Sequence, residues 1–480
     1  MVAKGALSTV VIDKEDNQEK DPTQMVHKTR FSAITFNDEV VTPFAGLAPV
    51  MALADQLGVE SSITSHLPRA PGEKANLAAK ASDLLATMCV GGDFFEYADV
   101  LRNRASKRLL GRSYAATTLG QMFRSLDAAR AGLFDKVLGD LIEAAWRRVG
   151  APVDPIIDVD STICEVYGSD KESAAYGYTK VLGYHPQLAT LAGSNEVLGV
   201  KMRPGNANTG VGGADLALLA CARAKHCGAT GKFMVRADTG FSSYEFVSRL
   251  HNEGIVVSVG MPVIPKLKAI IDAIPDDQWV ALAGYSKKAD STGWLAALDW
   301  EVTDPARPPA RPKRKPGPQP KDGSTKPARV KGTLVIRRVT HDSGETFEHF
   351  AFFTTTPVDP ANPAQVLGAD KTHRAHAVVE RSIRDLKSAA WAHFPSGRMG
   401  ANTAWAHLGC IAHNLLVWAG MVARGSRKGP MIITLSIRRW LVCVPGRVLK
   451  RGRSSVLSLP KRWPHQGQFL SLAKSCGVSP

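Results

Sequence analysis

The chain contains the stretch Ile156-Ile157-Asp158-Val159-Asp160-Ser161-Thr162, in which two acidic residues interrupt a short apolar run. Short runs of this kind are typical of buried strands. Asp158 and Asp160 are two positions apart, so on a strand both side chains point to one face. A carboxylate buried among Ile and Val is costly unless it binds a cation or accepts hydrogen bonds. The stretch therefore predicts a buried strand that carries a functional carboxylate.

Asp160 is the preferred candidate, because it ends the strand, where a site would open to solvent. Asp158 is the second choice. The alternative is that one of the pair caps the following turn through Ser161 and Thr162, a local arrangement common for short polar side chains.

Similar apolar runs recur after this stretch and alternate with helical patterns. The predicted strands are Pro186–Leu191, Val197–Met202, Phe233–Ala237 and Ile255–Val259, and the predicted helices are Asp215–Cys227 and Ser243–Asn252. A hairpin series of strands, followed by strands that alternate with helices, predicts an α/β fold with a mixed sheet covered on its faces. An RNase H-like core is one such fold, in which an Asp on the first strand and another at the end of the fourth meet across the sheet.

Changes in composition divide the chain into segments. The 142 positions from Asp238 to Glu380 are too many for a simple loop and contain strand-like runs, which predicts an insertion. We expect a disordered N-terminal tail (1–35), a helical N-terminal domain that binds DNA (36–150), an RNase H-like catalytic core (151–262 and 356–424), a β-rich insertion (263–355) with a basic Pro-rich loop (306–332), and a basic C-terminal region (425–480).

Positive charge is concentrated in two parts of the chain. The formal net charge is +16; segment 306–332 has nine basic residues against one acid, and 386–480 has 14 Lys and Arg and no Asp or Glu. A region of one sign attracts a polyanion, and nucleic acid is the commonest. The alternatives are a solvated basic tail or one bound to acidic lipid.

Cysteine usage and hydropathy indicate the compartment. The seven cysteines include no Cys-x-x-Cys pair and no zinc-like spacing, and the N-terminus has no apolar signal run. The most apolar stretch, 401–423, contains Asn and His residues, which is normal for a buried helix and poor for a membrane span. We expect a soluble protein of a reducing bacterial cytoplasm, associated with the nucleoid and not with a membrane.

Two further acids complete a candidate site. Asp238 follows the apolar run Phe233–Ala237 and precedes Thr239-Gly240, where the glycine allows close approach of a phosphate. Glu380 lies on a predicted helix from Arg374 to Lys387. Asp238 could instead be an ordinary helix N-cap. Glu380 could instead belong to an exposed charged face that pairs with Arg.

Cations accompany Glu380 at helical spacing. The face of Glu380 also holds His373, His376, Arg384 and Lys387, at offsets −7, −4, +4 and +7. Such a face could hold a metal and a phosphate backbone together. The two histidines alone do not favour zinc, since no third soft ligand lies nearby. Three carboxylates in a basic chain therefore point to a two-metal site that cuts phosphodiester bonds of nucleic acid.

The motifs resemble those of DDE transposases of bacterial insertion sequences, in the group with a β-strand insertion before the final Glu. The matching segments are Asp158-Val159-Asp160-Ser161-Thr162 through Gly168, Gly183-Tyr184-His185-Pro186, Met202-Arg203-Pro204-Gly205-Asn206, Arg236-Ala237-Asp238-Thr239-Gly240-Phe241, and Glu380 with Lys387. The resemblance extends from about residue 45 to near 470. One difference is that His373 and His376 stand where the family often has Tyr and Arg.

The resemblance implies a transposase that cleaves at the terminal inverted repeats of its element and joins the 3′ ends to target DNA. It implies Asp160, Asp238 and Glu380 as catalytic metal ligands for two Mg²⁺ ions, with Mn²⁺ able to substitute. It also implies double-stranded DNA as partner, a homodimer in the DNA complex, and DNA contacts by a basic group of residues: Lys387, Arg384, His376, His373 and Arg203.

Three alternatives remain open. An RNase H-like nuclease or resolvase would hydrolyse DNA without joining it. A nucleic-acid-binding protein could use the same acids structurally. An inactive transposase relic, which binds DNA only, is compatible with His373 and His376.

Overall fold

A computed structural model describes residues 10–11, 33–69, 76–282, 292–304, 328–340, 347–452 and 454–478. Most of the predicted disordered tail 1–35 and most of the basic loop 306–332 lie outside these residues; the described parts of the tail include β1 (Val10–Val11) and β2 (Ala33–Ile34), which pair antiparallel. Residues 328–332, at the end of that loop segment, are described, and a strand begins there at Arg329.

The secondary structure is mixed. The strands are β1 (Val10–Val11), β2 (Ala33–Ile34), β3 (Val41–Thr42), β4 (Ile156–Ser161), β5 (Cys164–Glu165), β6 (Ala175–Tyr176), β7 (Leu182–Tyr184), β8 (Gln187–Leu191), β9 (Glu196–Lys201), β10 (Met234–Ala237), β11 (Val256–Met261), β12 (Val280–Ala281), β13 (Thr292–Thr303), β14 (Arg329–Thr340), β15 (Phe347–Thr354), β16 (Gly446–Arg451) and β17 (Ser454–Ser458). The α-helices are α1 (Leu47–Gln56), α2 (Val59–His66), α3 (Leu77–Cys89), α4 (Arg104–Leu110), α5 (Ala116–Arg124), α6 (Ala128–Gly132), α7 (Phe134–Val149), α8 (Gly213–His226), α9 (Tyr244–Asn252), α10 (Pro265–Asp272), α11 (Pro363–Arg374), α12 (Val379–Lys387), α13 (Met399–Arg424), α14 (Thr434–Ile437) and α15 (Gln466–Ser475).

A nine-stranded mixed sheet, in the order β12-β13-β14-β15-β11-β10-β4-β8-β9, forms the centre of the fold. The predicted apolar runs supply its middle strands, because each run is buried on both faces. β10 pairs in parallel with both β4 and β11. β8 pairs antiparallel with both β4 and β9. The prediction of a mixed α/β sheet is therefore confirmed.

The predicted insertion extends this sheet. β15 pairs antiparallel with β11, with Ser258 opposite Thr354, and β14 pairs with β13 and β15. The strands between Asp238 and Glu380 are thus continuous with the strands that carry the first two acids.

The helices before residue 150 share a core with the rest of the protein. In α7, apolar residues three and four positions apart are buried, as their spacing predicts. α13 packs against α3, α6 and α7 on one side and β9 on the other. It is long and apolar enough to span a membrane, but its apolar window is fully buried inside the protein.

The basic C-terminal region folds back on the N-terminal region. β16 pairs antiparallel with β3 and β17, and α15 packs on α13 and α1. The C-terminal segment is therefore built into the fold and is not an extended tail.

A buried carboxylate ties these regions together. Glu196 is 0% exposed and accepts hydrogen bonds from Nε1 of Trp146 (2.8 Å) and Trp418 (2.7 Å). It also forms an ion pair with Arg427. Helix α7, strand β9, helix α13 and the C-terminal region thus meet at a single charge.

Replacing Glu196 should destabilise the whole fold. Glu196→Leu leaves the Arg427 guanidinium and two indole N–H groups without their acceptor, so we expect the free energy of unfolding to fall by ~3 kcal/mol or more. Urea denaturation measures the change. Glu253→Gln, on an exposed surface, is the control and should change stability by less than ~0.5 kcal/mol. Equal effects would contradict the role of Glu196.

Candidate active site

The first two acids lie at the same end of adjacent parallel strands. Ala237 of β10 pairs with Val159 of β4, and Asp238 and Asp160 are the next residues along each strand. The Asp160 side chain accepts a hydrogen bond from the Ser161 N–H (2.6 Å). The Asp238 side chain accepts one from the Gly240 N–H (3.0 Å) and caps a short 3₁₀ turn, which agrees with its alternative interpretation as a cap.

Glu380 joins them from α12. This residue is exposed in the first turn of α12, which packs against β4. Burial is the main reason that the pKa of Asp160 rises to about 6; the Ser161 N–H and His376 lower the pKa, and the Asp238 and Glu380 carboxylates raise it. Three acids that lie far apart in sequence therefore interact electrostatically.

The pKa of Asp238 is also raised. Desolvation by the surrounding protein is the largest cause, although the residue keeps solvent-exposed surface, while the Gly240 N–H, His376 and His185 act in the opposite direction. Two of the carboxyls thus hold a proton more tightly than usual, which indicates negative charge that the protein does not fully compensate.

Asp158 has a different environment. It is 1% exposed and forms a two-point ion pair with Arg236, at 2.7 Å (Nε to Oδ1) and 2.8 Å (Nη2 to Oδ2). Nδ1 of His376 lies 3.0 Å from Asp158 Oδ1. Its oxygens are occupied by protein partners, so the geometry favours Asp160 over Asp158 as the site carboxylate.

The predicted continuous helix through Glu380 is wrong. α11 ends at Arg374, a 3₁₀ turn spans Ala375–Val378, and α12 follows. A 3₁₀ turn has three residues per turn, so the residues before it do not keep the spacing of an α-helical face.

His373 consequently turns into the protein. Its ring stacks on Phe352 with centroids 4.2 Å apart, and Nδ1 lies 2.9 Å from the Ser258 hydroxyl. Burial is the main cause that lowers its pKa to about 3. A neutral, stacked imidazole does not support the predicted phosphate contact. Nε2 of His376 is buried without a hydrogen-bond partner among the described residues.

The remaining predicted DNA contacts differ in placement. Arg203 is buried, and its guanidinium donates to the carbonyls of His185 (2.9 Å) and Asn208 (2.7 Å). Arg203 therefore stabilises the loop that contains Asn208, and its burial does not support the predicted DNA contact. Lys387 donates to the Ile163 carbonyl (2.7 Å), and Arg384 is exposed on α12.

A hollow of about 670 Å³ lies beside Asp238 and Glu380. Strands β14 and β15 supply one wall, through Arg337, His349, Phe350 and Phe352, and α11 supplies Asp370. The sequence did not predict this wall, because the spacing of residues within the insertion does not reveal which strand of the sheet they pair with. Arg236 was also missed as a functional residue, although it stands within the second-Asp motif.

The three carboxylates are suited to a hard divalent cation, since they offer oxygen donors and carry uncompensated charge. Within the described residues, no group of three or more His, Cys, Asp and Glu side chains is arranged to hold a metal ion. The donor chemistry therefore fits Mg²⁺, while the carboxylates would have to draw together to bind it.

Asp160→Asn should stabilise the protein above pH 6. The folded-state pKa of about 6 exceeds the ordinary value near ~3.9, so the folded state binds more protons between these values and its stability falls as pH rises through them. We expect the variant to gain ~2 kcal/mol over the parent at pH 7.5, and the gain to vanish towards pH 4.

Urea denaturation from pH 4 to 8 without divalent cations tests this expectation. Asp170→Asn, at an exposed carboxylate, is the control and should show no such dependence. A gain that does not depend on pH would show that the charge of Asp160 is not its cause.

Comparison with known proteins gives one family match. A family described as "Transposase DDE domain group 1" matches residues 33–476. A search of curated proteins finds no match. Among solved structures, the chain is similar to one described as a cryo-EM structure of the piggyBac transposase synaptic complex with hairpin DNA. That similarity has a TM-score of 0.39 and 11% identity over 82% of this chain and 79% of the other. Because the family match covers most of the sequence, this chain belongs to the DDE-domain transposases of group 1.

Proposed function

We propose that this transposase cleaves DNA at the terminal inverted repeats of an insertion sequence and joins the 3′ ends to target DNA by two-metal-ion phosphoryl transfer. The observation that carries the proposal is the electrostatic interaction of Asp160 with the Asp238 and Glu380 carboxylates, at the end where the paired strands β4 and β10 stop. We further propose a homodimer as the DNA-bound form, in the cytoplasm of a bacterium.

The strand order supports an RNase H-like core. β4, β8 and β9 form an antiparallel series, and β10 and β11 run parallel to β4 on its other side. This arrangement brings the first strand beside the fourth, which is the pairing that such a core needs for its first two acids. β12 to β15 then form the insertion before Glu380.

In this proposal Asp160, Asp238 and Glu380 hold the divalent ions. Bound Mg²⁺, or Mn²⁺ in its place, supplies activation of the attacking oxygen and stabilisation of the departing one. Asp238 and Glu380 are exposed, so a DNA strand can reach them. Arg384, one helical turn after Glu380, is placed to contact a phosphate, which would position the strand without reading its sequence.

Removing any one carboxylate should abolish the chemistry and preserve DNA binding. We expect Asp160→Asn, Asp238→Asn and Glu380→Gln each to reduce Mg²⁺-dependent cleavage of terminal-repeat DNA by ~10³-fold, because each removes a ligand that stabilises transition-state charge. Gel assays of nicking and joining measure the loss, and Asp170→Asn is the control.

The same assay separates the alternatives. Cleavage without joined products would favour a nuclease, and DNA binding without Mg²⁺-dependent cleavage in the parent protein would favour an inactive relic. Full cleavage by Asp238→Asn would refute the proposed mechanism.

The basic C-terminal region offers fewer free cations than its composition suggests. Arg427 pairs with Glu196, Arg438 is buried against the Cys89 carbonyl, and Arg447 pairs with Asp38. Other cations are exposed along β16 and just after β17: Lys450, Arg451, Lys461 and Arg462. We propose that these four contact DNA phosphates.

Replacing the four by Gln should lower the salt dependence of DNA binding. Each lost phosphate contact should reduce the slope of log affinity against log salt by ~0.9. Fluorescence anisotropy from 50 to 200 mM salt provides the measurement. Lys225→Gln with Lys232→Gln, at two exposed lysines outside this group, is the control. An unchanged slope in the fourfold variant would place the DNA surface elsewhere.

A further inference from the structure

A buried cation connects the three elements that carry the site acids. Arg236 is 3% exposed and lies opposite Asp158 on paired strands, where its guanidinium meets both carboxylate oxygens. Two parallel N–H···O bonds to a carboxylate fix the plane of the guanidinium as well as its position. The orientation of this side chain is therefore set by β4.

The other edge of the guanidinium faces the chain before Glu380. Nη1 donates to the Thr372 carbonyl (2.5 Å), and Nη2 donates to the Ala375 carbonyl (3.2 Å). These carbonyls lie in the last turn of α11 and at the start of the 3₁₀ turn. Carbonyls at a helix C-terminus lack helical partners and attract cations. Arg236 thus binds the point at which α11 gives way to the 3₁₀ turn.

His376 provides a second connection to the same carboxylate. Its Nδ1 lies 3.0 Å from Asp158 Oδ1, which also accepts from Arg236. Asp158 is two positions before Asp160, Arg236 is two before Asp238, and His376 is four before Glu380. Asp158, Arg236 and His376 form one hydrogen-bonded network. Each of its members is therefore close in sequence to one site acid.

We propose that Asp158, Arg236 and His376 are positioning residues that fix the segment carrying Glu380 against the strand ends carrying Asp160 and Asp238. The inference rests on the proposed function for its catalytic consequence, but its structural part does not. Two site acids are attached to one sheet, whereas Glu380 lies on a helix that follows the 3₁₀ turn. The distance from Glu380 to Asp160 and Asp238 therefore depends on the conformation of the 3₁₀ turn.

A simpler role would be stabilisation of the core by a buried ion pair. Replacing a buried pair by apolar residues of similar volume is often neutral for stability. The double variant Asp158→Leu/Arg236→Met therefore separates the two roles: it can remain folded, but no side chain donates to the Thr372 and Ala375 carbonyls.

Hydrogen exchange without divalent cations is the first measurement. We expect amides of 372–380 to exchange ~10-fold faster in the double variant, while those of α13 keep their protection. Arg236→Lys retains the charge but cannot form the two-point contact, so it should show the same change to a smaller extent. Arg427→Lys, at the remote pair with Glu196, is the matched control and should leave 372–380 unchanged.

The Mg²⁺ requirement for cleavage is the second measurement. A misplaced Glu380 should raise the Mg²⁺ concentration for half-maximal cleavage by ~10-fold or more in Asp158→Leu/Arg236→Met and in Arg236→Lys, with DNA affinity unchanged. If the parent protein does not cleave, the proposed function fails and hydrogen exchange still tests the network.

Two results would overturn the inference. One is parental exchange of 372–380 in both variants. The other is faster exchange with a parental Mg²⁺ requirement, which would show that the network orders the turn without positioning Glu380. If the double variant does not fold, Arg236→Lys decides both measurements.

Discussion

The structure depends on parallel pairing of two short apolar strands that each end in an acid. Pairing of β4 with β10 places Asp160 and Asp238 side by side at the edge where their strands end. Desolvation on folding is the main cause that raises the pKa of both carboxyls, and neighbouring carboxylates raise that of Asp160 further. Stability is thus lost locally and must come from the surrounding core. Such a site attracts cations because the protein leaves its charge uncompensated.

The neighbouring acid on β4, Asp158, has its charge compensated by a protein cation. Asp158 and Arg236 lie opposite each other on the same two strands, two residues before Asp160 and Asp238. They form an ion pair and are almost fully buried. Two acids on the same strand and face therefore have different roles, set by whether a cation is supplied from the adjacent strand. Their positions in sequence differ by only two residues, so this difference depends on register and not on local composition.

The sequence was sufficient to predict the central strands, and the carboxylate it favoured on β4, Asp160, interacts electrostatically with the other two predicted acids. Mainly apolar runs such as Ile156–Ser161 and Met234–Ala237 indicate burial, because a strand covered on both faces carries few polar residues, here the acids and Arg236. Periodicity could not reveal the 3₁₀ turn at Ala375–Val378, which follows from tertiary contacts with Arg236. For the same reason it gave the wrong environment for His373, whose ring is held by Phe352 from a distant strand.

The pairing of β3 with β16 has a consequence for biosynthesis. Val41 and Thr42 find their partners only when Arg447 and Gly446 have been made, so one of the first described strands waits for nearly the whole chain. Contacts of such large sequence separation slow folding, because the loop entropy is lost before the contact forms. During translation the early helices also lack α13 and α15, and their apolar faces stay open to chaperones or to aggregation until the ribosome has passed the last helix.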